Sequence, residues 1–341
     1  MGQPRCPSQR NWPPPGHDRG VRAIQISENG GPEVLNVVDL PTPEPKPGEV
    51  VVEVGAAGVN YIDTYHRGGV YKVNLPMVLG LEGAGRVTAV GDGVTDVAVG
   101  DRVAWTNTPG SYAEQVAVPA EETVPVPDAV DDVSAVGALL QGMTAWILVN
   151  TTYPVQPGDD VLVHAAAGGV GLLLTQLATG RGARVIATVS TAEKEELARA
   201  AGAAEVLRYS ADLAERVRDL TGGVGVAVAY DGVGKSTFDA SMDSLRRRGM
   251  LVLFGAASGP VPPVDPQRLN AGGSLYLTRP TLFHHISTRE ELLSTAGSVY
   301  AAVAEGRLDV RIGHRYALDE ARAAHEDLHA RRTTGKLVLI P

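Results

Sequence analysis

A few short segments hold residues whose types and spacing could do chemistry. The first is HAAAGGVG at 164–171, set between the apolar run VLVHA (161–165) and an apolar stretch reaching Thr179. It fits the dinucleotide fingerprint G-x-G-x-x-G with Ala166 in the first glycine position, then Gly168 and Gly171. Such a loop needs a tight turn, a bare backbone where a pyrophosphate approaches and close strand–helix packing. The helix that follows then turns free N–H groups and the positive end of its dipole toward the phosphates. Gly168, Gly169, Val170 and Gly171 are therefore candidate cofactor contacts. A glycine turn of this kind can also serve only as a turn, and its place between strand and helix favours binding.

The second segment decides which nicotinamide cofactor fits. An NAD-specific site places Asp or Glu about 20 residues further on, to bind the ribose 2′-hydroxyl. At that distance this chain has Val189-Ser190-Thr191, with Lys194 one turn beyond. Two hydroxyls and an ammonium suit a 2′-phosphate, which points to NADP(H). The plain alternative makes Ser190 a helix cap and Lys194 a solvated charge, but Lys is rare here, 5 of 341 residues. Tyr209, ending the next strand, either covers the adenine or closes the core.

The third segment gathers three of the ten tyrosines, Tyr61, Tyr65 and Tyr71, beside Asn60, Asp63 and Arg67. Without a metal, a hydride acceptor must be held and protonated by hydroxyl, amide or water. A tyrosine ring can stack on a flat acceptor while its hydroxyl meets a carbonyl oxygen. Tyr65 and Tyr71 are read as pocket residues and Tyr61 as core. Asp63–Arg67 is read as a local i,i+4 ion pair. Three weaker signals remain. His164 reads as a satisfied core histidine and His284-His285 as a loop or dimer surface. Arg279 is expected to pair with a carboxylate at a domain or subunit contact.

These groups need elements to position them. From Val21 to about Gln141 short β runs such as 50–60, 85–90 and 101–105 are broken by Gly, Pro and Asp, which predicts a compact β-rich unit. After residue 142 strands and helices alternate: strands at 161–165, 183–190, 204–209, 224–231 and 250–255, extended by 273–278. Helices are expected at 211–221 and 235–248, and after Ser190-x-x-Glu193 read as a capping box. The pattern is that of an α/β doubly wound parallel sheet. A helix opening at Ser287-x-x-Glu290, another starting at Asp319 and a strand at 336–340 are expected to pack back on the β-rich unit.

Composition bounds the partners. The net charge of −9 gives no general attraction to nucleic acid. The single cysteine, Cys6, excludes an intrachain disulfide and any Cys-based metal site. Glycine is abundant, 40 of 341 residues, against a typical share of about 7%. The best membrane-span candidate, Val161–Gly180, is interrupted by glycines and reads as strand, turn and helix, so no membrane is expected and the cytosol is the default. Residues 1–20, with five prolines and no apolar period, read as a disordered extension, and Val21 as a possible natural start.

The whole arrangement resembles the zinc-free quinone oxidoreductase (zeta-crystallin-like) family of the medium-chain dehydrogenase/reductase superfamily. The resemblance runs from 21 to 341, over AAGVNYIDTYHRGGVY (56–71), LGLEGAGRV (79–87), QGMTA (141–145), HAAAGGVG (164–171), YDGVG (230–234), FGAASG (254–259), LYLTRPTL (275–282) and TTGKLVLIP (333–341). It implies a GroES-like catalytic domain at 21–143 and 283–341 and a Rossmann NADP(H)-binding domain at 144–282, with a cleft between them and a homodimer. It implies that Asn60 faces the nicotinamide ribose and the acceptor while Tyr65 and Tyr71 line a quinone pocket. Thr144, Val233, Phe254, Gly255, Ser258, Gly335 and Lys336 join the cofactor set. Asn60 and Leu81 stand where zinc alcohol dehydrogenases carry Cys and His ligands, so no metal is expected. The family sometimes has Lys in place of Gln141 and Ser in place of Gly232.

The expected activity is NADPH-dependent quinone reduction without metal. The nearest alternative is an NADPH-dependent C=C reductase acting on enones or alkenals. A non-catalytic crystallin-like or RNA-binding role is the alternative of another class, which the acidic charge disfavours.

Overall fold

The structure, a computed structural model, describes residues 20–341. The expectations for residues 1–19, including Cys6, lie outside the described residues. In chain order the elements are β1 (Val21–Ile26), β2 (Asn36–Leu40), β3 (Glu49–Val59), α1 (Tyr61–Arg67), β4 (Met77–Val78), β5 (Gly83–Val90), β6 (Arg102–Trp105), β7 (Gln115–Pro119), β8 (Val124–Pro125) and α2 (Asp132–Ile147). The middle of the chain adds β9 (Asp160–Val163), α3 (Gly169–Gly180), β10 (Arg184–Val189), α4 (Ala192–Ala200), β11 (Glu205–Arg208), α5 (Leu213–Leu220), β12 (Val226–Asp231), α6 (Phe238–Asp243), β13 (Leu245–Leu253), α7 (Gln267–Ala271) and β14 (Tyr276–Thr278). The chain closes with α8 (Arg289–Ala304), β15 (Ile312–Ala317), α9 (Ala321–His329) and β16 (Lys336–Ile340).

Strands β9 to β14 form one parallel sheet in the order β11-β10-β9-β12-β13-β14. Counted from β9 this is 3-2-1-4-5-6, the doubly wound order, with the switch point between β9 and β12 where ligands bind. Every residue of β12 is buried, as expected of a central parallel strand covered on both faces. The β-rich unit is a seven-stranded sheet, β15-β16-β3-β5-β6-β8 with β7 also paired to β3, beside the small sheet β2-β1-β4. Strand β16 pairs antiparallel with β3, so the last thirty residues do return to this unit.

Helix α2 runs across the expected 143/144 boundary and belongs to both units. It packs on β3 and β5 on one side and on α3 and α8 on the other. With its π-helical continuation to Thr152 it is long and apolar enough to cross a membrane, yet two thirds of that stretch is buried in the protein. The stretch 161–180, which drew attention in the sequence, is β9, the glycine turn and α3.

Three local expectations need correction. Ser190 does not cap α4; Thr191 does, its hydroxyl accepting from the Lys194 N–H. The cap of α8 is Thr288, in a capping box with Glu291, and not Ser287. The helix expected at 235–248 is only α6: residues from Leu245 onward enter β13 as an early register against β12, with Arg248 in a left-handed turn at φ 58°. An Arg-rich stretch has helix propensity, and pairing with β12 overrides it.

Candidate functional site

The glycine turn starts with a non-glycine residue in the left-handed region, Ala165 at φ 49°. Its N–H donates to the Tyr209 hydroxyl at 2.9 Å, which holds the turn in that conformation. Gly168 then caps α3. A Cβ on Gly171 would stand 2.3 Å from the Ala165 carbonyl oxygen, so the helix can approach the strand only because this residue is bare. One on Gly168 would stand 3.2 Å from the same oxygen, a tight contact that a shift of a few tenths of an ångström relieves, so packing bears less on this residue than on Gly171. The turn thus leaves the first N–H groups of a twelve-residue helix free for an anion.

Beneath it, a buried hydrogen-bond chain braces the sheet. Asp231 accepts from Ser241 (2.7 Å), Ser241 meets His164 Nε2 (2.9 Å), and His164 Nδ1 meets Thr188 (2.9 Å). Both ring nitrogens of His164 are therefore satisfied, and burial keeps its pKa below the ordinary value. The ring also stacks on Tyr209, centroids 6.0 Å apart and nearly coplanar at 11°. Tyr209 is 39% exposed, with one face toward His164 and its hydroxyl on the turn. It does not close the core: the ring lies between His164 and solvent.

The other end of the site is contributed by the β-rich unit. Gly335, at φ 61°, donates its N–H to the Ala167 carbonyl at 3.0 Å and forms a parallel bridge with Gly168. This bridge stitches the glycine turn to the start of β16. The next residue, Lys336, is buried, and its ammonium donates to Asn60 Oδ1 (2.8 Å), Gln141 Oε1 (3.0 Å) and Glu82. Gln141 Nε2 in turn donates to Asn60 Oδ1 at 2.6 Å, and Asn60 Nδ2 donates to Glu82 Oε2 at 3.0 Å. The expected approach of Lys336 to the cofactor is thus replaced by burial: all three ammonium protons are engaged in this cluster. Gly335 meets the glycine turn itself, through its backbone. The cluster abuts the turn, because a Cβ on Gly169 would lie 3.2 Å from Gln141 Cγ.

Asn60 caps α1, and its backbone N–H is bound by Asp63 Oδ2 at 2.8 Å. Asp63 and Arg67 are both buried and do not form the local ion pair expected of them; Arg67 bonds His325 and the Gly30 carbonyl, Asp63 bonds Asn60 and Tyr112. Tyr61 packs against the β-rich core and donates to the Leu328 carbonyl at 3.1 Å. Tyr65 and Tyr71 stand edge to face, centroids 5.7 Å apart. Burial raises the Tyr65 hydroxyl pKa above its ordinary value, with Arg279 opposing, so it stays a neutral donor near pH 7. Tyr71 is 46% exposed at the rim.

The remaining residues sort by their partners. Val233 is buried and bound through its backbone: its N–H donates to Asp231 Oδ1 at 2.8 Å. Phe254 and Gly255 follow β13 with their N–H groups on the Asp231 carbonyl, and Gly232 packs so that a Cβ would touch the Phe254 ring at 2.8 Å. Ser258 is engaged between the loops, donating to Val233 O and accepting from Ser236 N. Thr144 donates to Leu140 within α2. Arg279 meets the Gly255 carbonyl and not a carboxylate, and His285 meets the Thr151 hydroxyl. Ser190 follows β10 directly and is exposed.

At the Lys194 end sits a second cation, Arg331, which no sequence motif singles out. Lys194 Nζ donates to the Arg331 carbonyl at 2.7 Å, and the Arg331 guanidinium reaches the Ala257 carbonyl at 3.0 Å. Burial, with Arg331 adding repulsion, lowers the Lys194 pKa. Arg331 lies in a run of similar residues, Arg331-Arg332, and only its left-handed φ of 56° and the fold bring it here. Glu82 and His325 were missed for the same reason: their partners are far off in sequence. The bare turn, two cations beyond β10 and the hydroxyls of Ser190 and Thr191 fit an adenine dinucleotide bearing a 2′-phosphate.

The comparisons agree with this geometry. Residues 169–296 match the zinc-binding dehydrogenase family and residues 46–128 the alcohol dehydrogenase GroES-like domain. A quinone oxidoreductase of Salmonella typhimurium is 46% identical over 93% of this chain and 99% of its own length. A 2-haloacrylate reductase of Burkholderia sp is 43% identical over 94% of this chain and 99% of its own. A mycobacterial protein solved in complex with NADPH superposes with a TM-score of 0.92 at 55% identity, covering 94% of this chain and all of that one.

Proposed function

This chain belongs to the quinone oxidoreductase family of the medium-chain dehydrogenase/reductase superfamily, and from that premise we propose that it is an NADPH-dependent quinone reductase acting without metal. The reading is carried by one observation, the Gly168–Gly335 bridge. It brings the phosphate turn of one unit against the strand of the other that begins the Asn60–Lys336 cluster.

NADPH, when bound, supplies the hydride. Gly169, Val170 and Gly171 would hold its pyrophosphate through backbone N–H groups, with Gly168 the bare residue beside them, and Ser190, Thr191, Lys194 and Arg331 would take the 2′-phosphate, with Tyr209 beside the adenine. The loops at Val233 and Phe254–Ser258 border the nicotinamide at the ends of β12 and β13. Asn60, fixed from both sides, sets the floor at the join of the two units. Tyr65 and Tyr71 hold the flat acceptor, and the neutral Tyr65 hydroxyl donates to the oxygen on which charge develops. Much of the rate comes from this orientation. Strand β14, at the sheet edge with Tyr276 exposed, supports a homodimer formed by strand pairing.

The likeness to a 2-haloacrylate reductase supports a second reading, C=C reduction of an electron-poor alkene, in the same pocket. The test is NADPH oxidation followed with menadione and with 2-chloroacrylate, and then with NADH. Turnover of menadione by NADPH is the expected result; turnover of the alkene alone overturns it in favour of the second reading.

A further inference from the structure

Two residues that touch neither cofactor nor acceptor close a circuit behind the tyrosine pocket. We infer that His325 and Tyr112 are positioning residues for that pocket: they form, with Arg67 and Asp63, a one-way chain of hydrogen bonds that fixes α1, the helix carrying Tyr65. The inference rests on the quinone reductase reading above.

All four side chains are buried, His325, Tyr112 and Asp63 completely. Arg67 Nη1 lies 2.9 Å from His325 Nδ1, His325 Nε2 lies 3.1 Å from the Tyr112 hydroxyl, and that hydroxyl lies 2.9 Å from Asp63 Oδ2. The direction of each bond follows from chemistry. A guanidinium only donates, so His325 Nδ1 must offer its lone pair. Burial and the adjacent Arg67 keep the ring neutral, so its one proton sits on Nε2 and is given to Tyr112. Tyr112 then gives its own proton to the carboxylate. With Asp63 ionised, the chain starts from a cation and ends on an anion, and both are on α1, four residues apart.

The circuit therefore leaves α1 at Arg67 in its last turn, passes through α9 and the segment before β7, and returns at Asp63 in the first turn. The helix is held at both ends, with Tyr65 between them. Asp63 also accepts from the Asn60 N–H, so the same carboxylate fixes the join to the Lys336 cluster. A second tie, Tyr61 to the Leu328 carbonyl, runs between the same two helices. Helix α9 leads directly to Arg331 and Gly335, so the loop over the cofactor and the helix under the acceptor share one support.

Asp63 is the group in the circuit that titrates near neutrality, raised to about 7 by burial. The groups facing it are the Asn60 N–H and Tyr112, which favour the carboxylate, with Lys336 from β16 favouring it and Glu82, just before β5, opposing it. Glu33 faces Arg67 at the far end. Removing the Tyr112 hydroxyl takes away a donor to the carboxylate and moves its titration upward.

The test uses the full chain with menadione and NADPH across neutral pH, on Tyr112→Phe, His325→Leu and His325→Gln. Tyr112→Phe is expected to raise the menadione KM about tenfold with the NADPH KM little changed, since small displacements of a positioned group cost that much. It also moves the acid limb of kcat/KM to higher pH. His325→Leu behaves likewise, while His325→Gln, whose amide can accept from Arg67 and donate to Tyr112, restores most of the loss. Equal losses in every parameter with an unmoved acid limb, or no losses, overturn the inference. A wild-type protein that does not reduce menadione refutes the activity alone. The circuit is then read from amide hydrogen exchange over 61–67, which Tyr112→Phe must accelerate; unchanged protection overturns it.

Discussion

Lys336 Nζ stands 2.8 Å from Asn60 Oδ1, and this contact joins the last strand of the chain to the residue that caps α1. Both residues are buried, and Glu82 and Gln141 complete the cluster. The amide oxygen of Asn60 accepts from two donors and its nitrogen gives to Glu82, which leaves its side chain a single orientation. An amide and a lysine that read as separate cofactor contacts in the sequence are one unit, built at the join of the two halves.

The Lys336–Glu82 ion pair is buried on both sides, with side chains 2% and 0% exposed. Removing one partner of such a pair leaves an unpaired buried charge, a loss of about 3–5 kcal/mol. Lys336→Met is therefore expected to lower stability by that amount in urea denaturation, and Glu82→Gln added to it to recover much of the loss. A single variant within about 1 kcal/mol of wild type would contradict the assignment.

On the proposed reading, cofactor choice rests on Lys194 and Arg331. Each charge-assisted contact to a phosphate is worth about 1.5–3 kcal/mol. Lys194→Ala and Arg331→Ala should each lower kcat/KM for NADPH by roughly ten- to a hundredfold and leave NADH almost unaffected. Arg331→Lys is expected to fall between, because it keeps a charge and loses the fork. A parallel loss with both cofactors would mean that these residues only shape the loop.

How far the sequence carried this reading depends on the distance between partners. The glycine turn and the pairing of Tyr65 with Tyr71 are legible because each motif is contiguous, its spacing carrying the geometry. The doubly wound order followed from the alternation of strands and helices. Asp63 and Arg67 were misread as a pair because i,i+4 spacing on a helix favours that contact, while tertiary partners, His325 258 residues from Arg67 and Tyr112 49 from Asp63, won instead. Glu82, Gln141 and Arg331 acquire roles only when β16 returns to β3. The early end of the helix at 235–248 has the same origin, pairing across the sheet against local propensity.

Gly171 separates a packing role from a binding role in the turn. A Cβ there would stand 2.3 Å from the Ala165 oxygen and 2.7 Å from Ala166 Cα, both backbone atoms that cannot yield cheaply. Gly171→Ala should destabilise the fold by about 1–3 kcal/mol and weaken NADPH binding with it. Gly168→Ala, whose Cβ would stand 3.2 Å from the same oxygen and asks for a shift of only a few tenths of an ångström, should lower the melting temperature less than Gly171→Ala and weaken NADPH binding more than its stability loss accounts for. Equal melting temperatures for the two variants would show that the turn relaxes.

The last prediction concerns pH, where Asp63 and His325 oppose each other. Burial raises Asp63 from 3.8 to about 7, so the folded state holds a proton that the unfolded chain releases near pH 4. Its contribution to stability is full at low pH and is lost as pH rises toward 7, at about 1.4 kcal/mol per pH unit. Burial, helped by Arg67, lowers His325 from 6.5 to about 3, so the unfolded chain binds a proton that the folded state refuses. That contribution is full above 6.5 and is lost as pH falls toward 3. Between about pH 4 and 6.5 the two slopes cancel, since each state carries one proton on a different residue of the same circuit. Wild-type stability should therefore be nearly flat in this window. Asp63→Asn exposes the histidine slope, so its stability rises with pH; His325→Gln exposes the carboxylate slope, so its stability falls with pH. Urea denaturation at three or four pH values distinguishes them, and slopes of the same sign in both variants would refute the pairing.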